Sequence, residues 1–174
     1  QIFIDGLIVP EAHRIGEEGK GFSYLLDSLN PERILIAAEA LGIGKTALRR
    51  AVEYAGQRIV FDRPIGQNQS IQHPLAENWV ELEAAGLLIA KAAHLYDSGA
   101  PAGGMANAAK YFAAEAGFKA ATQAVMTLGG MGYAKEYHVE RLLRESLIPR
   151  LAPVSAQMVL NYIAERVLGL PKSY

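Results

Sequence analysis

A chain of 174 residues is long enough to bury its own core, and a composition of 51% hydrophobic and 20% charged residues is ordinary for a globular domain. The absence of cysteine excludes disulfides, thiolate metal sites and cysteine nucleophiles, and a formal net charge of −1 offers no field to draw nucleic acid or an anionic membrane. No apolar run reaches the roughly 20 residues of a membrane span, and His13, His73, His94 and His138 lack ligand spacing, so no metal site is expected.

Gln1 to Pro10 reads as extended: Ile2-Phe3-Ile4 and Leu7-Ile8-Val9 flank Asp5-Gly6, a hairpin signal. Ten residues do not make a stable sheet alone, so this strand is expected to belong to a preceding domain and the chain to be a fragment of a longer protein. Gly16, Gly19 and Gly21 among charges mark a loop. Phe22, Leu25, Leu26 and Leu29 then predict a short helix over 21–29, which Pro31 ends by disfavouring the α conformation of Asn30. A long helix should start at once, with Asn30 as N-cap, Pro31 at the first position and Glu32 facing the positive end of the macrodipole.

That helix carries Ile34, Ala37, Ala38, Leu41, Leu48, Val52, Ala55 and Ile59 on one face, with Arg49, Arg50 and Glu53 opposite. After a polar connection over 66–70, a third helix of about 71–96 repeats Ile71, Leu75, Trp79, Leu82, Gly86, Ile89, Ala93 and Tyr96, steps suited to antiparallel packing. Ser98-Gly99-Ala100-Pro101 breaks it. A fourth, alanine-rich helix over about 104–128 has Tyr111, Phe118, Ala121, Val125 and Leu128 along one stripe and residues small enough for close approach; Gly129-Gly130 stops it. A short helix over 136–145 shows a solvated, i,i+4-paired face of Glu136, Glu140, Arg141, Arg144 and Glu145, and a last helix runs over about 154–168. The fold read from these patterns is an all-α bundle with a strand tail.

Several segments, in order, resemble the C-terminal region of the acyl-CoA dehydrogenase family across essentially the whole chain. Phe3-Ile4-Asp5-Gly6-Leu7-Ile8-Val9-Pro10 is similar to the last strand of the family's middle β domain, and Gly16-Glu17-Glu18-Gly19-Lys20-Gly21-Phe22 to its exit loop. Gln57-Arg58-Ile59-Val60-Phe61-Asp62-Arg63-Pro64-Ile65 resembles Gln-Arg-x-x-Phe-Gly-x-x-Ile, and Gln69-Ser70-Ile71-Gln72 resembles Gln-Ala-Ile-Gln. The most specific stretch is Leu128-Gly129-Gly130-Met131-Gly132-Tyr133 followed by Glu136 to Glu145.

The resemblance implies an up-down four-helix bundle with short extra helices. Residues 1–15 would be the end of a β domain and its linker, and residues 16–174 the C-terminal helical domain. It also implies FAD, an acyl-CoA substrate, and α,β-dehydrogenation to the enoyl-CoA: a carboxylate removes the α proton while hydride passes to flavin N5. Implied partners are an electron-transferring flavoprotein and further copies of the chain, as a homotetramer built from two dimers. The implied compartment is the cytoplasm, or the mitochondrial matrix in a eukaryote.

Many members carry the base in a Tyr-Glu-Gly-Thr segment. Here a gapless reading from Arg144 gives Leu151-Ala152-Pro153-Val154-Ser155-Ala156-Gln157, with no acid. A minority, the isovaleryl- and long-chain-type enzymes, place Glu before Arg at the start of the long helix, as in Glu32-Arg33. The resemblance therefore makes Glu32 the base, with Asn30 and Arg33 binding substrate; the plain alternative for Glu32 is an acid at a helix start. It assigns Arg58, Phe61, Ile65, Asn68, Gly129, Gly130, Ser155 and Gln157 to the cofactor, Arg58 and Phe61 acting on the neighbouring subunit's flavin. Val60 and Met126 stand where relatives have polar cofactor contacts. Ser155 serves equally as an N-cap for the last helix, and Gly129-Gly130 as a helix stop. Other readings are an acyl-CoA oxidase or flavin monooxygenase on the same scaffold, or a non-catalytic helical oligomerisation module.

Overall fold

The structure, a computed structural model, describes residues 1–173. Three long helices form the body: α1 (Gly21–Gln57), α2 (Gln69–Asp97) and α3 (Gly103–Leu128). Between α1 and α2 lies a minimal hairpin, β1 (Ile59–Val60) with β2 (Arg63–Pro64), paired antiparallel. Short helices follow as α4 (Gly130–Tyr133), α5 (Val139–Glu145), α6 (Ile148–Leu151) and α7 (Ala156–Tyr162), the last continuing into a π turn over Ile163–Val167.

Alternate helices run up and down, and α7 returns antiparallel along the start of α3 to complete the four-helix bundle. The core has two stacked clusters. One gathers Ile34, Ala37 and Ala40 of α1, Ala85 and Ala92 of α2, and Ala106, Ala109 and Ala113 of α3. The other gathers Ala47 to Ala55 of α1, Leu75 and Leu82 of α2, Ala116 to Leu128 of α3, and Val139 and Leu142 of α5.

Alanine and glycine let α1 and α3 run nearly in contact. A Cβ on Gly44 would fall 2.9 Å from the Cα of Gly117, and one on Gly117 would fall 2.5 Å from the carbonyl oxygen of Ala40. The buried stripe of α3 is accordingly its alanine face, and Tyr111 and Phe118 lie only at its margin. On α1 the buried positions are Ala40, Gly44, Ala47 and Ala51 beside Ile34, Ala37, Leu48 and Ala55, so Ala38 and Val52 fall outside the core. On α2, Asn78 is buried in place of Trp79, which is 58% exposed.

The helix expected to end at Asn30 and the one expected to begin there are a single 37-residue helix with Pro31 inside it. Proline removes one helical hydrogen bond. The carbonyl that Pro31 cannot serve, that of Asp27, sits in the exposed first turns, where it is open to solvent. Asn30 is therefore no N-cap, and Glu32 is not at a helix start, so the macrodipole argument does not hold for it. Gln1 to Pro10 forms no strand: no ladder partner exists for it among the described residues, and Ile2, Phe3, Ile4 and Ile8 stand exposed.

The segment over 136–145 also divides, because His138 takes a left-handed conformation (φ 60°) between a 3-10 turn and α5. Its face is ion-paired as expected: Arg141 to Glu145 and Arg144 to Glu140, each at 2.9 Å. The Arg144 guanidinium, through its hydrogen bond, holds the Glu140 carboxyl below the ordinary carboxylate range.

Candidate functional site: a cavity between α1, α3 and α7

A cavity of about 490 Å³ opens where the first third of α1 faces the start of α3 and α7. Phe22, Leu26, Leu29, Asn30 and Arg33 line it from α1, Asn107 from α3, Val154 from the linker before α7, and Met158 and Tyr162 from α7. The residues fall on this wall because Leu26, Leu29, Asn30 and Arg33 follow three- and four-residue steps of one helix face. The unbroken course of α1 through Pro31 keeps them in register.

The polar groups of the wall are tied together. Arg33 Nη1 donates to Asn30 Oδ1 at 3.2 Å, and Asn107 Nδ2 donates to the Gly103 carbonyl at 2.8 Å. The Tyr162 hydroxyl stands over Gly103, where a Cβ would lie 2.7 Å from it and 3.8 Å from Asn30 Oδ1. Arg33 Nε is buried with no partner among the described residues. Desolvation by burial lowers the Arg33 pKa, partly offset by Tyr162 and Glu32. Behind the wall lies Lys110, 1% exposed, whose Nζ donates to the Val154 carbonyl. Burial is the main cause that lowers its pKa, and the charge of Arg33 adds to it, partly offset by the charge of Glu115.

Glu32 is exposed and lies outside the lining of this cavity, one residue from Arg33. Ala152 and Pro153 directly precede Val154, so this linker reaches the cavity without a carboxylate. Asp27 and Glu165 are the carboxylates on the lining itself, Glu165 being paired with Arg166 at 3.3 Å.

The opposite end of α1, about 38 Å away at 1.5 Å per residue, carries the second group. Phe61 (φ 51°) and Asp62 (φ 61°) turn the hairpin through two left-handed residues, and Phe61 is 93% exposed. Arg58 follows the last turn of α1 with its side chain exposed, while its carbonyl accepts from Ile65 N–H at 2.9 Å. Ile65 packs on the core. Asn68 accepts from Arg63 Nη2 and donates to the Ile65 carbonyl, both at 2.9 Å.

Gly129 leaves α3 with φ 58° and ψ −131°, beyond Leu128 of the same core cluster, and Gly130 begins α4. Ser155 and Gln157 instead stand at the start of α7, beside the cavity. Ser155 is the N-cap of α7, accepting from Met158 N–H at 3.5 Å.

Residues 19–168 match the family model described as "Acyl-CoA dehydrogenase, C-terminal domain". The chain belongs to the acyl-CoA dehydrogenase family. It is 46% identical over 176 residues to the acyl-CoA dehydrogenase FadE12 of Mycobacterium tuberculosis, covering 100% of this chain and 45% of that protein. Among solved structures it is similar to butyryl-CoA dehydrogenase from Megasphaera elsdenii, with TM-score 0.89 and 38% identity over 92% of this chain and 42% of the other. It is also similar to PigA with FAD and proline, with TM-score 0.90 and 26% identity over 95% and 43% of the two chains. The chain thus spans a little under half the length of the relatives it matches.

Within this member of the family, the expected substrate residues Asn30 and Arg33 meet in one cavity, joined by Ser155 near its rim. Arg58, Phe61, Asn68, Gly129 and Gly130 gather at the far end of the bundle. Sequence reasoning missed Asn107, Lys110 and Tyr162. One signal was available for Lys110: it is a lone charge on the alanine face that includes Ala106, Ala109 and Ala113.

Proposed function

We propose that this chain is the C-terminal helical domain of an FAD-dependent acyl-CoA dehydrogenase, with residues 1–15 the end of a preceding β domain. The cavity wall of Asn30, Arg33, Asn107 and Tyr162 receives the thioester-bearing arm of the acyl-CoA. Its mixed lining, apolar with a few convergent polar groups, suits an amide-containing chain that ends in an acyl group. Glu32 takes the α proton from the flank of this cavity. The observation that carries this reading is the linker at Val154, which meets the cavity with Ala152 and Pro153 and no acid, while a carboxylate adjoins Arg33 on α1. Arg33, with its buried and unpartnered Nε, holds positive charge where the substrate's carbonyl and phosphate groups approach.

The residues at the hairpin end fit FAD. Phe61 holds a large apolar ring outward on a left-handed turn, 93% exposed among the described residues, and Arg58 presents an exposed guanidinium at the base of the same hairpin, suited to a diphosphate. Gly129 and Gly130 leave room for phosphates to approach the backbone, and Ile65 and Asn68 fix the hairpin's base. Ser155 and Gln157, at the other end, suit a second flavin, which is the arrangement of a chain that shares cofactors with a neighbouring copy. Bound FAD supplies the acceptor for the β hydride.

Exposed Trp79, Val80 and Leu87 on α2 support assembly of copies through that helix, consistent with a homotetramer. An electron-transferring flavoprotein is the proposed electron acceptor.

The test is anaerobic flavin bleaching by a panel of acyl-CoAs in the full-length protein, beside Glu32→Gln, Asp27→Asn and Glu165→Gln. Bleaching lost in Glu32→Gln alone, with FAD retained, is the expected result. Loss in either of the other two instead moves the base onto the cavity lining. Rapid reaction of the reduced flavin with oxygen would favour an oxidase or monooxygenase. A stable oligomer with no bleaching would favour a non-catalytic module.

A further inference from the structure

Lys110 has no part in the chemistry proposed above, yet it is among the most deeply buried side chains of the chain. A buried ammonium is unfavourable unless it is paired and hydrogen-bonded. Lys110 has one hydrogen-bond acceptor in the structure, the neutral Val154 carbonyl; burial and the charge of Arg33 work against its ammonium, and the charge of Glu115 offsets them only in part. A methionine would fill the same space between alanines without that penalty, so the ammonium has to be explained by what it holds.

What it holds is the linker between α6 and α7. The other hydrogen bonds of this linker among the described residues are local: Ala152 N–H to the Ile148 carbonyl, Val159 N–H to the Ser155 carbonyl, and Met158 N–H to Ser155 Oγ. The hydrogen bond from Lys110 instead fastens it across 44 residues of sequence to the centre of the bundle. Val154, Met158 and Tyr162 form the side of the cavity contributed by this stretch, and Asn30 and Arg33 the facing side.

We infer that Lys110 is a positioning residue: its ammonium fixes the Val154 carbonyl and thereby sets the α7 wall of the substrate cavity against Asn30 and Arg33. The inference rests on the reading of that cavity as the thioester site. The linker carries no proton-transferring group in that reading, but Ser155 within it faces a proposed flavin, so loosening it acts on substrate binding and on flavin retention while the turnover of each flavin-loaded site is spared.

The experiment uses Lys110→Met in the full-length protein, with steady-state kinetics on an acyl-CoA that bleaches the wild type, and amide hydrogen exchange without substrate. The expected result is a KM raised by about tenfold with kcat, counted per bound flavin, within about threefold. Amides of residues 154–160 should exchange about tenfold faster while those of α2 keep their rates. An unchanged KM with a lower melting temperature would make Lys110 a structural residue only and overturn the inference.

If no acyl-CoA bleaches the wild type, the function proposed above falls, and the substrate role of Lys110 with it. The exchange result still decides whether Lys110 ties the linker: unchanged rates at 154–160 overturn the tether. Lys110→Gln, which keeps a donor on a shorter side chain, takes the same readouts if Lys110→Met does not fold.

Discussion

Substituting Gly117 by alanine tests the central packing claim, that α1 and α3 approach closely enough to exclude a methyl group. In a helix, Gly→Ala contributes roughly 0.8–1 kcal/mol of stability through propensity alone. At Gly117 the new Cβ meets a backbone oxygen, that of Ala40, at 2.5 Å, which a side-chain rotation cannot relieve. The helices must separate or shift, and overpacking of this kind costs about 1–3 kcal/mol. Because the obstacle is backbone, the upper part of that range applies, for a net loss of roughly 1–2 kcal/mol.

Gly42 is the internal control. It lies on the exposed side of the parallel neighbour α1, and a Cβ there meets nothing within 4 Å. Gly42→Ala should therefore stabilise by up to about 1 kcal/mol. Urea unfolding followed by circular dichroism should separate the two variants by roughly 2–3 kcal/mol with a common m value. At about 2–4 °C per kcal/mol for a chain of this size, the melting temperatures should differ by roughly 4–12 °C. If Gly117→Ala is as stable as Gly42→Ala, the close approach of α1 and α3 is wrong.

Pro31→Ala should stabilise the chain by roughly 1–3 kcal/mol in the same assay, since it restores a helical hydrogen bond inside α1; a loss would mean that the helix needs its proline. Phe61→Gly should raise stability by up to about 1 kcal/mol, because glycine accepts the left-handed turn freely, while the full-length protein retains less FAD after gel filtration. Unchanged flavin content would refute the cofactor role of Phe61. Trp79→Glu should leave the secondary structure intact and reduce the oligomer mass seen by light scattering; an unchanged mass would remove that face of α2 from the interface. Glu140 has a folded pKa below its unfolded value, so its pairing with Arg144 stabilises above the unfolded pKa and is lost as pH falls through the folded one. The acid limb of stability in Glu140→Gln should be flatter than in the wild type below the ordinary carboxylate range.

Local chemistry determined much of this protein. The spans of α2 and α3, the glycine stop at Gly129, the Ser155 cap and the ion-paired face of α5 follow from patterns a few residues long, and each could be read in the sequence. So could the adjacency of Glu32 and Arg33 and the lack of an acid before Val154, because these are matters of residue order. The tertiary structure decided the rest, where distant packing outweighs local preference.

Pro31 predicts a break, yet α1 continues, because Ile34, Ala37 and Ala40 beyond it are locked against α2 and α3 while the turns before it are free in solvent. The apolar stripe of α2 admits Trp79 by spacing, but the narrow gap against alanine faces leaves a large ring outside and takes Asn78 instead. A Phe-Asp pair carries no turn signal, so the hairpin at Phe61 depends on the ends of α1 and α2 being held together. The cavity itself joins Asn30 and Arg33 to Asn107, Val154 and Tyr162, and no local pattern could place groups so far apart in sequence on one wall. Sequence order names the charges; only the packing of α1, α3 and α7 decides which of them face the same space.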